Sequence, residues 1–431
     1  MSAPQIIALA VLAAVVAALI HGKMRSDVVA LAGAAVLLGT RTVRPVEVQG
    51  AFASPAIIAL AALFVIAYAM ELSGLLGLLI RAATRLCARM GSAGLWIVIA
   101  LAGGASAFLN NTPIVVLAGP VVRDVAQSLK VSPKRFLIPL SYVTILGGAC
   151  TLIGTSTNLL VNDMARNAGQ PAFSLFEITP VGLIVALAGG LYLVLFSDRL
   201  ISQSDTDVEP VDASRAEQNA PGDDPSLFLT DPPFQLGRAL ASLAVFVAVV
   251  AAAALGVAPI AATAFSGAVL LVLLRLISVD EAYRGLRPEV LFLIAGMVVV
   301  GLSLEVTGLA ALATDALVGW VHDLGPWLAL ALIYGATLFL TEILSNAAVA
   351  VLLTPVAVAL AESLGVDARP FLVGVMMAAS AAFATPFGYQ TNVLVYQLGR
   401  YSYLDFVKIG VPLNLLTWVV GVAVIPRFFP F

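Results

Sequence analysis

Two short polar stretches interrupt long apolar runs: Asn110-Asn111-Thr112-Pro113, and Ser345-Asn346-Ala347. The first lies between Gly94–Phe108 and Ile114–Val125, the second between Trp327–Ile343 and Ala348–Ala361. Each flanking arm is shorter than the roughly 20 apolar residues that carry a helix across a bilayer. The arms therefore read as re-entrant hairpins with the polar residues at their tips. The surroundings are those of a membrane protein. Hydrophobic residues make up 61% of the 431 residues and charged residues 11%, with a mean hydropathy of +1.04. A soluble chain of this length needs far more polar surface.

The two tips belong to a repeat. Asn111 recurs as Asn346 and Pro120 as Pro355 at an offset of 235, while Glu71-Leu-Ser-Gly74 recurs as Glu305-Val-Thr-Gly308 and Asn158 as Asn392 at 234. Similar Ala/Val/Leu helices explain loose likeness, but not a constant register at polar residues. Three spans precede each hairpin: Ala3–Ile20, Val28–Gly39 and Pro55–Ile80, then Arg238–Leu255, Ile260–Leu276 and Glu289–Thr314. A broken helix follows each one, Phe136–Ile153 with Asn158–Met164, and Phe371–Ala384 with Asn392–Gln397. A last span closes each half, Ile178–Phe196 and Phe406–Ile425. The fold expected is an all-α polytopic membrane protein. It has two repeats of five spans, each repeat with a re-entrant hairpin and a broken helix. An odd number of crossings inverts the second repeat. The division is 1–201 for the first repeat, 202–235 for a disordered linker rich in Asp, Ser and Pro, and 236–431 for the second repeat.

Basic residues orient this plan. With the N-terminus outside and hairpins that do not cross, 17 of the 22 Lys and Arg fall on the linker side and 5 opposite, namely Arg41, Arg44, Arg166, Arg369 and Arg427. The positive-inside rule then makes the linker cytoplasmic, and the hairpins enter from opposite faces. The expected location is a bacterial inner membrane; Ala3–Ile20 lacks a basic start and a cleavage site, and reads as a span. Arg81–Arg89 reads as an amphipathic surface helix. Cys87 and Cys150, with His21 and His322, give no metal or disulfide pattern.

Non-helical backbone at membrane depth must line a cavity or be buried in protein. The four breaks are the two tips, Gly154-Thr155-Ser156-Thr157-Asn158, and Thr385 to Asn392. Each is followed by a new helix whose free N–H groups favour an anion, while the preceding arm ends in carbonyls suited to a small cation. No Lys or Arg lies between Gly91 and Val122, between Arg135 and Arg166, or between Arg287 and Arg369. Dipoles compensate a divalent anion poorly in a low dielectric, so co-bound cations are expected. Glu71, Glu305 and Glu342 are the acids within the apolar runs. Any one polar cluster alone reads better as a buried helix cap, but four at matched positions read as a site.

These motifs resemble the divalent anion:sodium symporters of the ion transporter superfamily, over essentially the whole chain. The resemblance implies a homodimer, an elevator-type movement, and a dicarboxylate or sulfate held between two sodium sites. It places the anion on Asn110, Asn111, Thr112, Thr155, Ser345, Asn346, Tyr389 and Gln390. It places sodium on Ser106, Asn111, Gly154 and Asn158, and on Thr341, Asn346, Gly388 and Asn392. Ala347 replaces the threonine of the family tip, and Tyr389-Gln390-Thr391 replaces Thr-Pro-Pro. That form is similar to sulfate-type permeases, here without regulatory linker domains, so sulfate is expected ahead of a C4-dicarboxylate. No organic cofactor and no nucleic-acid partner are expected. An exporter of the same superfamily, for arsenite or for protons against sodium, is the alternative, with Glu342 as its carboxylate. An intramembrane enzyme is remote, because it needs clustered His, Asp or Glu.

Overall fold

The computed structural model describes residues 1–21, 24–75, 78, 90–201, 234–286, 288–309, 325–386 and 388–431. The linker residues 202–233, the stretch 81–89 and residues 310–324 lie outside the described residues, and with them the expectations placed there. All regular structure among the described residues is helical. The first half contains α1 (Ala3–His21), α2 (Ser26–Gly39), α3 (Pro45–Phe52), α4 (Pro55–Leu72), α5 (Ser92–Ser106), α6 (Asn111–Ser128), α7 (Lys134–Gly148), α8 (Ser156–Asn167) and α9 (Thr179–Leu200). The second contains α10 (Leu236–Ala254), α11 (Ile260–Leu273), α12 (Val279–Gly285), α13 (Pro288–Val306), α14 (Gly325–Thr341), α15 (Asn346–Leu364), α16 (Arg369–Ala379), α17 (Gln390–Gly399) and α18 (Tyr403–Phe428).

Several expectations are corrected. Two short helices, α3 and α12, precede α4 and α13 and were not anticipated. Their start signals are in the sequence: Pro45 opens α3, and Ser278 and Glu281 form a reciprocal capping box on α12. The arm α15 has 19 residues and is long and apolar enough to cross a membrane, so shortness alone does not define that hairpin. Pro113 is the third residue of α6 and not its first. The breaks also begin earlier than expected, because α7 stops at Gly148 and α16 at Ala379. Asn158 and Asn392 thus sit inside the first turns of α8 and α17, each as the third residue.

Among the described residues, five helical stretches are long and apolar enough to span a membrane: 45–72, α9, α10, α15 and α18. Their outward faces stay apolar; Leu187 and Leu191 of α9 are 64% and 60% exposed. Exposed leucines in rows belong against lipid. The core is formed instead by α5–α8 and α14–α17, where Phe136, Tyr142, Phe371 and Phe383 are fully buried.

The packing pairs repeat in the two halves, and most of them cross from one half to the other. Helix α2 packs on α13 as α11 does on α4; α5 packs on α7 as α14 does on α16; α6 meets α17 as α15 meets α8; α9 and α18 meet each other. Close backbone approach fixes parts of this core. A Cβ on Gly147 of α7 would lie 2.0 Å from the carbonyl oxygen of Gly103 on α5. One on Gly410 of α18 would lie 2.0 Å from the carbonyl of Phe383. Small residues at helix contacts allow the backbones to touch.

Candidate functional site

The sequence sets each tip through a cap. Asn110 caps α6, its side-chain oxygen accepting from the Thr112 N–H at 3.4 Å. Ser345 caps α15, accepting from the Ala348 N–H at 3.3 Å. Both residues are good N-caps because their short oxygens reach the first free N–H groups. The next residue of each tip is the repeated asparagine. Ser106 donates to Asn111 Oδ1, and Thr341 donates to Asn346 Oδ1 at 2.8 Å. The two halves thus build the same hydroxyl-to-asparagine contact five residues apart.

The broken helices repeat a second contact. Asn158 Nδ2 donates to the Thr151 carbonyl at 2.9 Å, and Asn392 Nδ2 donates to the Thr385 carbonyl at 3.2 Å. Each ties the first turn of a new helix back to the break that precedes it. The other amide oxygen differs. Asn392 Oδ1 accepts from Ser141 Oγ at 2.7 Å. Asn158 Oδ1 is fully buried and has no hydrogen-bond partner. Ser141→Ala is expected to leave Asn392 Oδ1 unpaired at about 1–3 kcal/mol. A lowered thermal midpoint of the detergent-solubilised protein is the readout, and an unchanged midpoint removes Ser141 from this role.

Contacts between halves bring the first tip to the second break. Asn111 Nδ2 donates to the Tyr389 hydroxyl at 3.0 Å, and Thr112 Oγ1 donates to Gln390 Oε1 at 3.3 Å. Tyr389 also bonds the Thr155 side chain. All sequence-predicted site residues except Asn110 are buried.

A cavity of about 80 Å3 lies where these elements meet. The starts of α6, α8, α15 and α17 all border it, through Asn110, Thr155 with Ser156 and Thr157, Asn346 with Ala347, and Tyr389. Its other walls are apolar: Leu60, Leu63, Phe64 and Ala67 of α4, and Val290, Leu293 and Ile294 of α13. No Lys or Arg is among its lining residues. Of the eight residues predicted for the anion, Asn110, Thr155, Asn346 and Tyr389 line the cavity. Asn111, Thr112, Ser345 and Gln390 stand behind them as partners or caps. Ser156 and Thr157 line it without having been predicted, although they fall within the break that the sequence marks.

The donor set suits a sodium ion near the first tip. Asn111 Oδ1 and the Gly154 carbonyl approach one point, 2.8 and 3.2 Å from where a Cβ on Gly148 would be. Asn158 Oδ1, buried and without a hydrogen-bond partner, is a neutral, hard oxygen of the kind sodium takes. In the second half a Cβ on Gly388 would lie 2.8 Å from Thr385 Oγ1 and 3.3 Å from Glu342 Oε2.

Broken helices whose polar starts gather at one cavity, inside a bundle with an apolar exterior, are the parts of a membrane transporter. More narrowly, the chain belongs to the citrate transporter family, CitMHS, whose model matches residues 15–369. It is 25% identical to the "Uncharacterized transporter sll0640" of Synechocystis sp., over 90% of this chain and 91% of that one. It is 43% identical over 97 residues, 21% of this chain and 11% of the other, to the "Probable sodium/sulfate cotransporter 3" of Chlamydomonas reinhardtii. The YdaH transporter of Alcanivorax borkumensis has a similar fold, with a TM-score of 0.60 at 15% identity over 89% of this chain and 87% of that one.

Proposed function

We propose that this transporter takes up a small divalent anion, sulfate ahead of a C4-dicarboxylate, together with sodium. The observation that carries the reading is the meeting of four helix starts at one cavity with no basic side chain on its wall. Aligned N–H dipoles hold the anion there, and cations beside them offset its charge. In this reading sodium sits on Ser106, Asn111, Gly154 and Asn158 in the first half, and on Thr341, Asn346 and Gly388 in the second. Asn392 has its amide satisfied by Ser141, Ala382 and Thr385, and acts as a tie.

Cavity size favours sulfate. The cavity is small, about 80 Å3, which suits a compact tetrahedral oxyanion. Ala347 and Tyr389 line this wall, one lacking a hydroxyl and the other filling space.

The two halves are inverted repeats in this reading, with the N-terminus outside and the linker cytoplasmic. The apolar faces of α4 and α13 against the polar helix starts suit an elevator in which α5–α8 and α14–α17 slide as a block within a homodimer in a bacterial inner membrane.

Uptake of labelled sulfate, succinate and citrate into proteoliposomes, with and without an inward sodium gradient, tests substrate and coupling together. The expected order is sulfate, then succinate, then citrate, each only with sodium. Uptake independent of sodium would sink the coupling. In the same assay Ala347→Thr, which restores a tip hydroxyl beside the cavity, is expected to move the preference toward succinate; an unchanged ratio removes Ala347 from substrate choice.

A further inference from the structure

The two tip asparagines read alike and stand differently. Asn346 borders the cavity and Asn111 does not. Tyr389 stands on the cavity wall in front of Asn111, and its hydroxyl accepts from Asn111 Nδ2 at 3.0 Å. A cation on the first tip is therefore separated from the cavity by one side chain.

Tyr389 and Thr155 occupy the same repeat position, at an offset of 234. They are the N-caps of α17 and α8, and neither spends its side chain on capping. Their hydroxyls bond each other, and Thr155 Oγ1 donates to Thr157 Oγ1 at 3.5 Å. Thr155 and Thr157 both line the cavity. One chain of hydrogen bonds thus runs from Asn111 through Tyr389 and Thr155 to Thr157.

The direction of this chain turns on one amide. Ser106 donates to Asn111 Oδ1, which leaves Nδ2 to donate to Tyr389. Both neighbours of the amide are hydroxyls, and a hydroxyl donates or accepts. The amide can therefore turn over and keep both bonds. Turned over, it would accept from Tyr389, Tyr389 would accept from Thr155, and the Thr155 hydrogen would point away from the cavity. A cation chooses between the two, because it binds the amide oxygen and is repelled by the N–H groups. The sodium position proposed for the first tip faces Asn111 Oδ1 and the Gly154 carbonyl. Sodium there holds Nδ2 toward Tyr389. Each hydroxyl in the chain then aims its hydrogen onward to the cavity, where an oxyanion accepts it. Hydrogen bonds in such a chain strengthen one another.

We propose that Tyr389 is a positioning residue that couples the first sodium ion to the anion, by relaying the orientation of the Asn111 amide to the hydroxyls of Thr155 and Thr157. This rests on the sodium-coupled reading above and names the residue through which the first cation acts. The coupling is reciprocal: the anion tightens sodium binding by the factor by which sodium tightens anion binding.

Sodium and sulfate titrations of the detergent-solubilised protein, read by the rise in thermal midpoint, give each affinity with and without the other ion. Succinate is run in parallel. In the wild type, saturating anion is expected to tighten sodium binding. Tyr389→Phe keeps the ring and cuts the chain. Sodium affinity measured alone is expected to hold, while the coupling factor falls about fivefold. What remains passes through Asn346, which borders the cavity directly. Thr155→Ala cuts the next link and is expected to lower the coupling in the same way, whereas Thr155→Ser keeps the hydroxyl and the coupling. An unchanged coupling factor in Tyr389→Phe, even with a lower midpoint or weaker binding of both ions, overturns the relay and leaves sodium coupling standing. If Tyr389→Phe does not fold, the two Thr155 variants decide, and equal coupling in them overturns the relay. A wild type whose affinity for neither anion responds to sodium overturns both the relay and the sodium-coupled reading.

Discussion

Asn346→Ala is expected to reduce sodium-driven anion uptake by about 100-fold while leaving the helices in place. The side chain does two things at once. Its Oδ1 is held by Thr341 at 2.8 Å, on the carbonyl end of α14 where a cation is favoured. The residue also borders the cavity at the start of α15, where an anion is favoured. Losing a ligand to a charged species costs about 1.5–3 kcal/mol, and about 1.4 kcal/mol is tenfold in affinity. A loss shared by anion and cation therefore reaches about two orders of magnitude. The fold survives because the cap of α15 belongs to Ser345 and stays intact. Thr341→Ala separates the two effects: its hydroxyl does not border the cavity, so sodium affinity should fall while anion affinity at high sodium holds. The measurement is initial uptake against sodium and against anion. Asn346→Ala with normal uptake would remove the second tip from the site.

Much of this arrangement was legible in the sequence, for a physical reason. Polar residues cost so much at membrane depth that they concentrate where the structure needs them. A repeat then places each at a constant offset. The pairs Asn111 with Asn346, and Asn158 with Asn392, were visible as letters and have matching contacts in the structure. Other parts were not legible. Helix ends inside a break depend on which carbonyls find partners, and Thr151 and Asn158 settle that for the first break only once folded. Whether a site residue lines the cavity or stands behind it depends on side-chain direction. Thr112 and Gln390 turn toward each other, and the sequence holds nothing that says so. The short helices α3 and α12 were missed for a different reason. Their caps were present but lay between longer apolar runs that drew the reading.

Symmetry also hides differences that neighbours create. Asn158 and Asn392 read alike. Only the packing reveals that Ser141 occupies one amide oxygen and nothing occupies the other. Met376 and Val375 stand in the second half near the position of Ser141, and both are buried and apolar. The choice between a tie and a ligand was made by a residue on another helix.

Gly147→Ala is expected to be among the most damaging single methyl groups added to the core. The new Cβ would lie 2.0 Å from the Gly103 carbonyl oxygen, 2.7 Å from its carbon and 3.0 Å from its Cα. All three are backbone atoms, so no rotamer change relieves the clash, and α5 and α7 must separate. Overpacking of this kind costs about 1–3 kcal/mol or more. The functional cost is larger, because the contact lies next to the first tip. Ser106, three residues beyond Gly103, gives its hydroxyl to Asn111, and Gly148 beside Gly147 leaves the space that Asn111 Oδ1 enters. Moving α5 outward pulls Ser106 from Asn111 and opens the proposed first sodium site. Misplacement by about 1 Å is enough to cost about 100-fold at a preorganised site. The expected result is a lower thermal midpoint together with a rise in the sodium concentration needed for half-maximal uptake. Gly104→Ala is the control. It adds the same methyl one residue along α5, where nothing lies within 4 Å, and it should change neither quantity. Equal effects from the two substitutions would show that helix propensity, and not the contact of α5 with α7, sets the first tip.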